Sequence, residues 1–171
     1  MLRILFCSVL FCFLTGCSSL PIQDDAIKQK ALELSAPREG MAGLYIYRDS
    51  IIGAAVQDDI YIDGICLGEI GYKVFMYTEI KAGQDHIVAT SDGLFYKYLK
   101  INAKEGENIF LRHYYRFGEW FAGANMQEVS EQVAKIALQE CDMGVTGTCD
   151  DPYVPPEDES DIKIKDTNPT L

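Results

Sequence analysis

The sequence predicts a mainly β fold: a small antiparallel β-sandwich of about seven to eight strands with one C-terminal amphipathic helix. Three observations lead there. Branched and aromatic runs recur at short spacing from residue 44 to residue 129, with Gly, Asp and Asn between them, the pattern of sandwich strands. Asp63-Gly64 stands between two apolar runs, the dipeptide suited to a type I′ hairpin turn, whose two central residues need positive φ. After Ser130 the apolar spacing is helical, because Val133, Ile136 and Ala137 fall at i, i+3 and i+4.

Each element has its own local justification. Leu44-Tyr45-Ile46-Tyr47-Arg48 reads as a strand ended by Asp49-Ser50. Ile60-Tyr61-Ile62 and Ile65-Cys66-Leu67 form the hairpin around Asp63-Gly64, and Gly68 and Gly71 punctuate the chain after it. Residues 72–80 form an apolar strand before an Ala82-Gly83 turn, and 86–90, 94–101 and 109–115 continue the run. Residues 120–129 supply one more strand. Ser130 then stands at an N-cap with Glu131 in the first turn, and the helix ends near Cys141.

The ends of the chain have a different character. Arg3 precedes residues 4–14, which are apolar except for Ser8, the length of a signal-peptide core and too short to span a bilayer. Leu14-Thr15-Gly16-Cys17 comes directly after and resembles the bacterial lipobox. That resemblance implies cleavage before Cys17 and acylation of its thiol, so that the lipid bilayer is a partner through Cys17. It also implies a lipid-anchored protein of the bacterial cell envelope. Ser18 stands where an aspartate would resemble an inner-membrane retention signal, which favours the outer membrane, facing the periplasm.

Residues 1–16 are thus expected to be a signal peptide, 17–38 a lipidated tether, 39–140 the β-sandwich with its helix, and 141–171 a tail. In the tether, Ile27, Ala31 and Leu34 allow a short helix, and a flexible chain is the alternative. The tail holds eight acids against Lys163 and Lys165, with four prolines. Such composition does not offset the entropy of ordering, so the tail is expected to be mostly disordered.

Charge excludes some functions. The chain carries 26 acidic and 15 basic residues, which argues against nucleic acid as a partner, since phosphate contacts need clustered Lys and Arg. It also argues against docking on anionic lipid through basic segments. No run is apolar enough for a membrane-spanning helix.

Little in the sequence points to catalysis. His86 comes after a turn, where a ring nitrogen bonds backbone; His113 reads as a half-exposed strand residue; and Asp58-Asp59 read as exposed acids. Two histidines do not make the converging set a metal needs, and no nucleophile elbow, zinc helix or phosphate loop occurs. No catalytic residue, metal or cofactor is expected. Cys141 and Cys149 are expected to form a disulfide in an oxidising compartment, around a loop containing Gly144 and Gly147, with Cys66 a buried thiol. The dense aromatic stretch Tyr114, Tyr115, Phe117, Trp120 and Phe121 has two readings: core packing, or an exposed ridge facing a protein or glycan.

Several of these segments together carry a family resemblance. Tyr45-Ile46-Tyr47-Arg48, Ile60-Tyr61-Ile62-Asp63-Gly64, Leu67-Gly68-Glu69-Ile70 and Ala82-Gly83-Gln84-Asp85-His86-Ile87 resemble the bacterial proteins grouped as domain of unknown function 2846, over residues 36–140. Ala82 departs from the proline common at that turn. The resemblance implies no activity, and it agrees with lipid anchoring. The expected function is a non-enzymatic binding or envelope-structural module for an unknown envelope protein or glycan. The alternatives are an accessory subunit of an envelope assembly or secretion machine and, more remotely, a cell-wall enzyme.

Overall fold

A computed structural model of the chain describes residues 20–93, 95–117 and 122–164. Among the described residues, ten strands form two five-stranded sheets that share one apolar core. The strands are β1 (Met41–Arg48), β2 (Asp58–Ile62), β3 (Ile65–Ile70), β4 (Val74–Lys81), β5 (Gln84–Ser91), β6 (Tyr96–Ala103), β7 (Asn108–Phe117), β8 (Ala122–Val129), β9 (Asp142–Met143) and β10 (Ile162–Ile164). The first sheet has the order β8-β7-β1-β4-β9 and the second β10-β6-β5-β2-β3. Leu44 and Ile46 of β1, Met76 of β4 and Leu111 of β7 meet Ile60 of β2, Val88 of β5 and Ile101 of β6 between them.

The sandwich is mixed, not purely antiparallel. β1 and β7 pair in parallel, as do β4 with β9 and β6 with β10. The reason lies in the connections. Hairpins β2–β3, β5–β6 and β7–β8 stay within a sheet, whereas the links after β1, β3, β4, β6 and β9 cross between sheets. Ala82-Gly83 is one such corner, its amides bonding Gly40 and Ala103 carbonyls at 2.9 and 2.8 Å. β6 hands the chain to β7 beside the start of β1, so both strands set out from the same end, with Gly43 opposite Asn108.

The Asp63-Gly64 hairpin forms as its sequence requires, with φ of 50° and 81°. Asp63 also braces the turn: one oxygen accepts from Ile87 N at 2.9 Å, the other lies 2.6 Å from His86 Nδ1. The second ring nitrogen of His86 is 2.7 Å from the Lys81 carbonyl, the backbone bond expected of it.

Both outer faces are covered, and here the structure departs from expectation. Helices α1 (Asp25–Leu32) and α2 (Glu131–Gln139) lie over Tyr45, Tyr47, Phe75 and Phe110. Asp24 caps α1 by accepting from Ile27 N at 3.2 Å, and Tyr45 donates to the Ala31 carbonyl at 2.9 Å. From Leu20 onward, therefore, the expected tether is docked. Its first residues run beside β9, with Gln23 N bonding the Met143 carbonyl at 2.8 Å and Val145 N the Pro21 carbonyl at 3.0 Å. In α2 the buried residues are Ala134 and Leu138, while Val133 and Ile136 are 53% and 67% exposed. The small Ala134 sets the helix phase by letting the backbone approach the rings.

The tail differs most. Residues 141–164 lie packed on the sandwich, with 165–171 outside the described residues. The chain leaves β9 on the first sheet and crosses the side of the sandwich to the outer face of the second. There Cys149 is bonded to Cys66, not to Cys141. Cys141 is a free, buried thiol in the helical layer, pushed up to about 12 by burial. Cys141 and Cys149 belong to clusters on opposite outer faces of the sandwich, so the expected bond between them cannot close. Cys66 precedes inward-facing Leu67 and by strand alternation points outward, toward the tail.

Tyrosines hold the tail down. Tyr61, Tyr96 and Tyr98 donate to the carbonyls of Asp151, Pro152 and Val154, and the Tyr153 ring sits 5.4 Å from that of Tyr61. Asp59 accepts from the amides of Asp150 and Asp151 at 3.3 and 2.8 Å. Composition alone misses such long-range pairing.

Candidate functional site

At one end of the sandwich the inward-facing positions change from apolar to polar. Side chains alternate along a strand, so Arg48 continues the face of Leu44 and Ile46, and His113 and Tyr115 continue that of Ile109 and Leu111. Asp58 precedes Ile60 on β2, and Thr90 comes after Val88 on β5, with the same parity. All five are buried. Asp58, expected exposed, and His113, expected half-exposed, are therefore corrected to interior residues, while Asp59, also expected exposed, is buried on the outer face beneath the tail.

The cluster is a closed ion network. Arg48 Nη1 donates to Asp58 Oδ2 at 2.9 Å and to the Val56 carbonyl at 2.8 Å. Arg48 Nη2 donates to the Gly53 carbonyl. The other Asp58 oxygen accepts from Tyr115 Oη at 2.6 Å, and the Arg48 guanidinium lies 4.8 Å from the Tyr115 ring centroid. His113 Nε2 is 3.1 Å from Thr90 Oγ1 and 3.6 Å from Asp58 Oδ2.

The loop 49–57 exists in this form because it wraps a guanidinium. Gly53 has φ of 76°. A Cβ there would lie 2.8 Å from Arg48 Nη2 and 2.9 Å from the Tyr115 ring.

Burial governs the titrations. It pushes the Asp58 carboxyl up to about 6, against the opposing pull of Tyr115 and Arg48. It holds the His113 imidazole down to about 3, assisted by the Arg48 charge. At neutral pH the cluster thus contains a paired carboxylate and guanidinium beside a neutral imidazole. Burying an ion pair costs desolvation that its attraction only partly offsets, so its best-supported contribution is geometric specificity. Most of the network's donors and acceptors are spent on one another and on the loop carbonyls, while Arg48 Nε and His113 Nδ1 are buried without a hydrogen-bond partner. As placed, the network can brace the β1–β2 loop but presents no reactive atom to solvent.

The sequence-predicted residues fall elsewhere or divide. Tyr115 is buried in this network and is not part of an exposed ridge. Tyr114, of opposite parity, is half-buried. Phe117 ends β7 with its side chain outside the described part, as are Trp120, Phe121 and Cys17. Among the described residues no three His, Cys, Asp or Glu side chains group to hold a metal. Sequence reading misses the network because it judges each member alone. The parity of Leu44-Ile46-Arg48 and Ile109-Leu111-His113-Tyr115 is the signal that could have found it.

Comparison with known proteins gives the family. The model of a protein of unknown function (DUF2846) matches residues 38–125, from β1 to the first half of β8, without helix α2 or the tail. An uncharacterized protein of Haemophilus influenzae is 38% identical over 133 residues, covering 78% of this chain and 79% of its own. That alignment extends beyond the family match. On both grounds the chain belongs to the DUF2846 family of proteins of unknown function.

Proposed function

We propose that this is a lipid-anchored protein of the bacterial envelope, attached through acylated Cys17, whose domain acts as a non-enzymatic binding or structural module in the periplasm. The observation that carries the reading is Leu14-Thr15-Gly16-Cys17 at the end of an eleven-residue apolar core. Two features support it. A disulfide between Cys66 and Cys149 suits an exported protein, since cytosolic thiols are kept reduced. The polar residues that most resemble catalytic ones, Asp58 and His113, are enclosed and bonded to Arg48, Tyr115 and Thr90, which suits a bracing role better than general acid–base chemistry.

The test is Cys17→Ser in the native host. The wild type is expected in the membrane fraction and labelled by a palmitate analogue, and the variant unlabelled and released. A variant that stays in the membrane fraction with undiminished label would refute acylation at Cys17.

A further inference from the structure

We infer that the polar-network end of the sandwich is a membrane-contacting surface, seated on the bilayer interface when Cys17 is acylated. The inference rests on the anchoring reading above and adds an orientation to it. Leu20 is the first described residue, and its side chain packs against the core. A Cβ built on Gly71 would lie 2.9 Å from Leu20 Cδ1 and 4.0 Å from Gln57 Cγ. This places Leu20 beside the ends of the β1–β2 and β3–β4 connections. Three residue steps separate it from Cys17, at most ~10 Å of extended chain. The headgroup layer is of comparable depth, roughly 5–8 Å per leaflet. A lipid on Cys17 would therefore hold this end, and not the opposite one, against the membrane.

The surface there suits that neighbour. Register sets the end: β1 finishes at Arg48 opposite Val74, β2 starts at Asp58 opposite Ile70, and β5 finishes at Ser91 opposite Asp59. The connections at these strand ends expose Ile51, Ile52 and Val56, then Tyr72, then Phe95. Ile51 is 72% exposed. Residues 50–57 contain no charged side chain, so shallow insertion desolvates no ion. Two bordering charge pairs are formed, Asp49 with Arg112 at 2.8 Å and Lys73 with Glu140, and the Asp92 carboxylate accepts from the Phe95 amide at 2.9 Å. Arg48 bonds the Ile52, Gly53 and Val56 carbonyls from beneath. This leaves the loop's apolar side chains outward, and the buried network becomes the device that presents them. Tyrosine is at home at the membrane interface, and apolar side chains add to the hold of a lipid anchor.

The test uses the full acylated chain in phosphatidylethanolamine/phosphatidylglycerol vesicles carrying a lipid-borne quencher. A fluorophore is placed at Ile51→Cys or, at the opposite end, at Lys104→Cys. Flotation with the vesicles and several-fold stronger quenching at position 51 is the expected result. Ile52→Asp with Val56→Asp, folded by circular dichroism, should then reduce quenching at position 51 without abolishing flotation. Equal quenching at the two sites in protein that still floats would overturn the docking surface while leaving the anchor intact. Label-to-label contact at position 51 that persists in detergent would assign the patch to a second copy, and also overturn it. Failure to float, with an unmodified Cys17 by mass spectrometry, would overturn the anchoring reading and the orientation with it.

Discussion

Replacing His113 by Gln should give the protein a different response to acid. The imidazole is fully buried and held down to about 3, chiefly by desolvation and then by the Arg48 charge. The unfolded chain binds a proton at this residue near pH 6.5, and the folded protein refuses it until about 3. In that window the unfolded state carries more protons, so His113 makes stability rise with pH by ~1.4 kcal/mol per pH unit. Asp58 works oppositely. Its folded carboxyl is pushed up to about 6, so between about pH 4 and 6 the folded state holds the extra proton and stability falls as pH rises. The two contributions oppose each other in the wild type over that range. Glutamine removes only the first.

The stability difference between wild type and variant should therefore change by roughly 3 kcal/mol from about pH 6 to about pH 4, in the variant's favour on acidification. Above about pH 7.5 the difference should be constant, at the cost of about 1 kcal/mol expected for a disturbed buried hydrogen bond to Thr90. Urea unfolding monitored by circular dichroism across this range measures it, with equal m-values as the check that both proteins unfold alike. A difference that does not vary with pH would refute the neutral, desolvated His113.

Three further outcomes are expected. A non-reduced digest should yield a Cys66–Cys149 peptide and leave Cys141 free; reduction should lower stability by up to ~4–5 kcal/mol, because the bond closes a loop of over eighty residues, and a Cys141–Cys149 peptide would contradict the pairing. Truncation after Cys149 should lower the thermal midpoint, since Tyr61, Tyr96 and Tyr98 lose their carbonyl partners at ~0.5–1.5 kcal/mol each, and an unchanged midpoint would show that the tail adds nothing. Gly53→Ala should destabilise by ~2–4 kcal/mol, from left-handed backbone and overpacking against Arg48 and Tyr115, as measured by denaturant midpoint.

Much of the fold is legible along the chain because strands and tight turns are local. The runs around Ile46, Ile60, Val88 and Leu111 are rich in branched and aromatic residues and bounded by turn residues, and Asp63-Gly64 needs only its own backbone to specify a turn. The site is less legible. Arg48, Asp58, Thr90, His113 and Tyr115 come from four strands, and each in isolation resembles a surface residue of its type. Their meeting depends on parity and register in two sheets at once. The helix face is misread for a related reason, since Val133 and Ile136 are apolar but the rings beneath α2 admit Ala134 and Leu138.

By itself, then, the sequence determined the β class, the hairpin and the helix after Ser130, because each depends on residues adjacent in the chain. Tertiary structure decided what distant residues do to one another. It made the sheets mixed by crossing the chain between layers, and it paired Cys149 with Cys66 by carrying the tail to the far face. It fastened an acidic, proline-rich segment with tyrosine hydroxyls and a disulfide that composition cannot register. It also buried Arg48, Asp58 and His113, whose charges are tolerated only because partners far away in sequence arrive within hydrogen-bonding distance.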